Sequence, residues 1–385
     1  MTYDFDHVPS RWNTNSYKYD SAPNQDVIPM WVADMDFPTA PVVQEAIRKR
    51  SEHPIYGYVK VPESYYQSTI NWFSHRHGWF IPRDAFIYTS GVVPAISAII
   101  QGLTQKGDKV LVQTPVYNCF FSSIRNSGCE IACSSLNDVH AHYEIDFKDF
   151  EDKCADEKVK IFLLCNPHNP VGRVWTREEL RKMGEICLKY HVFVISDEIH
   201  CELTFPGQIY TPFASISEEF MQNSATCISP SKAFNIAGLQ IANIIVADEQ
   251  KRKKVDKAIN INEVCDVNPF GVTALQAAYT PEGEEWLSQL NAYIEGNYQA
   301  LRTFFKQKLP QYSVTEMEGT YLAWVNVCQL PSEYLCNQVL LLNHKVWVSP
   351  GCMYAQEHYI RINMACPRAT LLEGLNRIKE GLNTK

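Results

Sequence analysis

Short runs that are apolar on both faces, separated by stretches with helical spacing, commit a chain to a buried parallel sheet with helices above and below it. Residues 161–200 show this most clearly. Ile161-Phe-Leu-Leu-Cys165 and Val192-Phe-Val-Ile-Ser196 are the apolar runs, and Thr176-Arg-Glu-Glu179 between them has the form of a capping box. Leu180, Met183 and Cys187 then make the apolar face of a helix. A strand, a helix and a strand in that order predict a parallel crossover. Further strands are expected at Ala85–Thr89, Lys109–Gln113, Thr226–Ser229 and Ala242–Ala247, with a helix at Val92–Leu103 that is apolar at 92, 93, 96, 99, 100 and 103. The fold class is therefore α/β, with a large domain built on a mostly parallel, doubly wound sheet.

The polar residues that close these runs carry the chemistry. In an open parallel sheet ligands bind at the carboxyl ends of the strands, so Asn169, Asp197 and Lys232 are expected to converge on one crevice. Ser90-Gly91 joins a strand to a helix, and the backbone N–H groups of Gly91, Val92 and Val93 with the helix dipole suit a phosphate. Tyr117, just past the Lys109–Gln113 strand, is placed to stack on a planar heterocycle. Arg361 lies inside an apolar strand, His358–Asn363, where a guanidinium must be paired; a substrate α-carboxylate is a sufficient partner.

Five segments resemble one family when taken together: Trp31-Val-Ala-Asp-Met-Asp-Phe37, Tyr56-Gly-Tyr58, Asn166-Pro-His-Asn-Pro-Val-Gly172, Ser196-Asp-Glu-Ile-His200 and Ser231-Lys-Ala-Phe-Asn235. Over nearly its whole length the chain resembles the fold-type I pyridoxal 5'-phosphate (PLP) enzymes, the aspartate aminotransferase superfamily, and within it the MalY/PatB-like cystathionine β-lyases. The resemblance implies that Lys232 binds PLP as an imine and takes the substrate α-proton, which requires a neutral amine. Asp197 would keep the pyridine nitrogen protonated, Asn169 would meet the phenolic oxygen, and Ser229 and Ser231 would join Gly91 on the phosphate. Tyr117 and His200 complete the cofactor contacts, Tyr117 being counted with Lys232 and Asp197 as catalytic. Arg361, Asn169, Ala33 and Tyr58 would meet the substrate. Tyr58 would also reach the cofactor phosphate of a neighbouring subunit, which implies a homodimer with shared active sites. Two positions depart from the aminotransferase pattern. His200 stands where many relatives have Tyr, and Gln240 where many have Arg, so the phosphate lacks one expected cation.

The implied activity is a PLP-dependent lyase that cleaves L-cystathionine or a related L-cysteine S-conjugate to a thiol, pyruvate and ammonia. An aminotransferase of class I/II is the alternative, and a PLP-fold regulatory protein acting through a protein partner is a third reading. The small domain is expected at 1–50 and 284–385, with an N-terminal arm, a helix after Pro41 and a long helix at Glu284–Lys308; the large PLP-binding domain is expected at 51–283. A net charge of −8 without a basic stripe argues against nucleic acid, and no apolar stretch approaches membrane-spanning length. The N-terminus has no signal-peptide pattern, and the cysteines, 13 in number, form no CxxC pair. A cytoplasmic protein with reduced thiols is expected. Cys165 and His168 have metal-like spacing but no second pair, so no metal site is assigned.

Overall fold

The computed structural model describes residues 2–261, 263, 266–327 and 331–383. Its central sheet has seven strands: β1 Phe86–Thr89, β2 Lys109–Thr114, β3 Glu130–Ser135, β4 Val159–Cys165, β5 Phe193–Asp197, β6 Ser224–Ile228 and β7 Ala242–Ile245. In space they run β1-β7-β6-β5-β4-β2-β3. The pairs β2–β3, β2–β4, β4–β5 and β5–β6 are parallel, whereas β7 is antiparallel to both neighbours. The expected strand at 242–247 is present, and it runs backwards for a topological reason. A parallel return needs a helical crossover, but residues 229–241 contain no α-helix. They form instead the loop that carries Lys232 at the carboxyl end of β6.

Helices cover both faces of the sheet. Along β4, Ile161 and Leu163 join one core with Ile96, Ile99 and Val255, while Phe162 and Leu164 join another with Leu180, Met183 and Cys187. This alternation explains why the strand reads as one unbroken apolar run, each such side chain contributing about 1.5–3 kcal/mol when fully buried. Ile96 and Ile99 belong to the helix Val92–Leu103, and Leu180 to the helix Arg177–Lys189, whose Thr176–Glu179 capping box forms as the sequence predicts.

A second, antiparallel sheet holds Ser313–Val314, Leu322–Asn326, Tyr359–Asn363 and Ser349–Pro350, paired in that order. It places Arg361 opposite Trp324 on one side and Ser349 on the other. Ile28–Pro29 of the N-terminal arm pairs in parallel with Val346–Trp347, so the arm is stitched to the C-terminal part of the chain. The long helix begins at Pro281, before the expected Glu284. The Thr280 side chain accepts from the Gly283 N–H, and Pro281 occupies the first turn, where its missing N–H costs nothing.

Candidate active site

Lys232 enters the site from the β6–β7 loop. Its Nζ donates to the Ala33 carbonyl oxygen at 2.5 Å. Burial, reinforced by the Arg361 guanidinium, brings its pKa down to about 8. A substantial fraction of the amine is thus neutral near physiological pH, as a nucleophile or base requires.

Asp197 ends β5, so a buried strand delivers a carboxylate to the sheet's edge. Burial pushes its pKa up to about 7, against the Ile199 N–H donated to Oδ1 at 3.2 Å and the field of Lys232. A carboxylate so placed is stabilised by any cation brought to it. His200 follows three residues later, buried, with Nδ1 unbonded. Burial, then Lys232 and Arg361, hold its pKa down to about 3, which keeps the imidazole neutral.

These groups line one cavity of about 200 Å³ together with Ala33, Ser90, Gly91, Val92, Val93, Pro94, Tyr117, Cys165, Asn169, Ile199, Ser231, Ala237 and Ile241. The helix Val92–Leu103 points its N-terminus into this space. Gly91 is its N-cap and no side chain caps it, so its first N–H groups and dipole are available to an anion. Gly91 has extended backbone, and what it supplies is the lack of a side chain over those N–H groups. The Tyr117 phenol is held protonated, well above its usual range, by burial and then by Cys119.

Arg361 stands just behind the cavity. Its Nη1 donates to Asn169 Oδ1 at 3.2 Å and its Nη2 to the Trp31 carbonyl at 2.8 Å, and the guanidinium lies 4.8 Å from the centre of the Tyr354 ring. Buried Nε has no partner. Among the described residues Arg361 forms no ion pair, so its positive charge is held by neutral groups alone. Because Asn169 accepts through Oδ1, its amide NH2 is left for the cavity that it lines.

Sequence reasoning therefore brings Lys232, Asp197, Asn169, His200, Tyr117, Ser231, Ala33 and the 91–93 backbone to one place. Ser229 and Tyr58 lie elsewhere, and Arg361 stands behind the wall without lining it. The Ser229 hydroxyl donates to the Ile241 carbonyl at 2.5 Å and accepts from the Ser231 N–H, so it braces the lysine loop from beneath. Tyr58 is 95% exposed and outside the cavity. Gln240 is exposed, in the left-handed region at φ 51°. Cys165 and His168 do not pair: the thiol donates to Pro167 O, and His168 Nε2 donates to Pro115 O.

Sequence reasoning also missed residues. Ile199 lies between two polar motif residues, and its wall position follows only from where β5 ends. A buried network holds the Trp31–Phe37 segment: Lys18 Nζ donates to Asp36 Oδ1 at 2.9 Å, and Arg11 bridges Asp34 and Asp36 at 2.7 and 3.1 Å. Lys18 is 1% exposed, which is rare for lysine without a partner.

The donor set fits PLP. The cavity offers an amine for an aldehyde, a carboxylate whose own burial demands a cation for a ring nitrogen, an uncapped helix N-terminus for a phosphate and a tyrosine ring at the wall.

Comparison with known proteins agrees. Residues 11–378 match the model of the family described as aminotransferase class I and II. The cystathionine beta-lyase PatB of Bacillus subtilis is 40% identical over 386 residues, covering 98% of this chain and 100% of its own. Among solved structures, a PLP-bound protein from Clostridium difficile 630 superposes with TM-score 0.96 at 41% identity, covering 99% of this chain and 100% of that one. Cystalysin from Treponema denticola, which contains PLP, superposes with TM-score 0.95 at 33% identity and 99% coverage of both chains. The match to the family model over nearly all of its length, on a sheet and a cavity of this form, shows that the chain belongs to the aminotransferase class I and II family.

Proposed function

We propose that this protein is a PLP-dependent carbon–sulfur β-lyase that converts L-cystathionine or a related L-cysteine S-conjugate, with water, to a thiol, pyruvate and ammonia. The carrying observation is a buried guanidinium that has no protein anion among the described residues, Arg361, hydrogen-bonded to Asn169 in the wall of a cavity that Lys232 and the buried carboxylate Asp197 also line. The resemblance to PatB and cystalysin selects the reaction from those such a site supports. When bound, PLP supplies the electron sink that makes the substrate's Cα–H acidic and its β C–S bond breakable.

The chain's own residues divide the remaining work. Lys232 would hold the cofactor and would take the substrate α-proton on Nζ. Asp197 keeps a proton on the ring nitrogen by offering it a buried negative charge. Asn169 would offer its NH2 to the cofactor's phenolic oxygen, and the 91–93 backbone with Ser231 would hold the phosphate. Tyr117 would pack against the cofactor ring, and neutral His200 closes the wall beside Asp197. Arg361 pairs with the substrate α-carboxylate, which fixes the Cα–H bond relative to Lys232.

Arg361→Leu removes that partner and puts an uncharged, apolar side chain in its place. An expected loss of at least about thirtyfold in kcat/KM, mostly as a raised KM, follows from the roughly 2 kcal/mol lower bound for truncating a buried charge pair. Steady-state rates of pyruvate formation check it, and an unchanged KM would remove Arg361 from the substrate site.

The enzyme is a cytoplasmic homodimer in which Tyr58 of one subunit reaches the phosphate site of the other. Its near-complete exposure beside exposed Ile55 and Tyr56 supports this reading, and the free buried thiols Cys187 and Cys227 suit a reducing compartment. Sedimentation should give a dimer whose PLP affinity falls in Tyr58→Ala; a fully active monomer would contradict it. Residues 51–283 form the large unit and residues 1–50 with 284–385 the small one. The pairing of Ile28–Pro29 with Val346–Trp347 supports this for the arm, although the helix Pro41–Ser51 packs on the helix Pro269–Ala278 of the large unit. Amino transfer to a 2-keto acid is the second reading, favoured by the family model itself.

A further inference from the structure

Two donors meet on one carbonyl at the cavity wall. Lys232 Nζ donates to Ala33 O at 2.5 Å, and Tyr321 Oη donates to the same oxygen at 3.0 Å. That oxygen is fixed from two sides. Asn235, three residues past the lysine, accepts from the Met35 N–H at 3.0 Å through Oδ1 and donates through Nδ2 to the Met35 and Phe37 carbonyls at 2.9 and 2.8 Å. Asn363, two residues past Arg361, donates to the Val32 and Asp34 carbonyls at 2.5 and 2.6 Å. The segment carrying Ala33 is thereby tied both to the loop of the lysine and to the strand of the arginine.

A backbone carbonyl has two lone pairs. When a fixed hydroxyl occupies one, less negative charge remains to hold an ammonium on the other. Tyr321 is fully buried, and burial holds its phenol protonated, so it donates at every working pH. We propose that Tyr321 is a positioning residue for Lys232, acting through the shared Ala33 carbonyl: it limits how firmly that oxygen can hold the lysine's ammonium form, and so keeps the amine available as a base. The proposal rests on the reading of Lys232 as the group that takes the α-proton.

Other charges also face Lys232. Arg361 disfavours its protonated form, while Asp34, Asp197 and Cys119 favour it; His200 is neutral. Tyr321→Phe leaves all of these in place and retains the ring that fills the core.

Competitive acetylation of the cofactor-free full-length chain across a pH series, with the Lys232 peptide quantified by mass spectrometry, measures the amine directly. Wild-type Lys232 should become reactive around pH 8, and the variant only at higher pH. In the holoenzyme the acid limb of kcat should move the same way, with kcat at pH 7 falling roughly two- to fivefold, the worth of one shared hydrogen bond, and KM unchanged. Coincident labelling curves for the two proteins, or a rate lowered by the same factor at every pH, would overturn the proposal. Failure of the lyase reading is separable, since it would appear as absent turnover by wild type, and the labelling curves would still decide whether Tyr321 acts on Lys232.

Discussion

Lys232→Ala is expected to lower kcat by at least about 10⁴-fold, the upper part of the range for removing a positioned base, and to abolish the absorbance of the lysine-bound cofactor. Both losses follow from one atom. Among the described residues Nζ is the only amine that lines the cavity, and burial with Arg361 has already brought its pKa down to about 8. The same depression gives a control for folding. An unfolded lysine titrates near 10.4, so between about 8 and 10.4 the folded chain holds fewer protons than the unfolded chain. The contribution of this group to stability therefore rises with pH across that window, and below pH 8 its full burial cost is present. At pH 7 the cofactor-free variant should unfold at no lower temperature than the cofactor-free wild type. A variant that still formed a borohydride-reducible PLP imine at another lysine would show that the reactive amine had been misassigned.

Asp197→Asn should lower kcat about 10²–10³-fold, the scale set by removing a single preorganised electrostatic partner, while leaving Lys232 free to bind PLP. The amide cannot stabilise a proton on the ring nitrogen, so the electron sink weakens without loss of the covalent link. Stability should change in the opposite sense. Burial raises the Asp197 pKa from 3.8 to about 7, so across that window the folded cofactor-free chain holds a proton that the unfolded chain has released. Its contribution to stability therefore falls as pH rises from about 4 to 7. Removing the carboxylate should make the cofactor-free protein more stable at pH 7.5 than wild type and leave the two closer at pH 5, as thermal unfolding would show. An unchanged kcat would place the ring nitrogen against some other residue.

Asp197 was legible in the sequence for a physical reason, whereas Lys232 was marked out by the motifs around it. A strand buried on both faces must be apolar throughout, so the polar residue that ends it, Asp197 in β5, stands out. Arg361 is visible by the same contrast, as a charge inside an otherwise apolar strand. Strand direction was not legible. Ala242–Ile245 has the composition of a central strand, and nothing in a run of side chains distinguishes parallel from antiparallel; the lack of a helix in 229–241 decides it.

Side chains whose partners are backbone groups were also hidden. Ser229 was expected on the phosphate by resemblance, yet its hydroxyl turns back to Ile241 O. Tyr321 belongs to none of the motifs, and its bond to Ala33, 288 residues away, exists only in the fold. The Lys18, Arg11, Asp34 and Asp36 network lies in an arm without periodicity, so burial had no signature there. Tyr58 was singled out by resemblance alone.

The account turns on whether this cavity eliminates a thiol. The measurement that tests it most directly is to mix the purified protein with PLP and L-cystathionine, without any keto acid, and to follow pyruvate and free thiol together. Release of both in equal amounts over many turnovers is the predicted result. No pyruvate, with amino transfer appearing only when a 2-keto acid is added, would contradict it and assign the same residues to an aminotransferase.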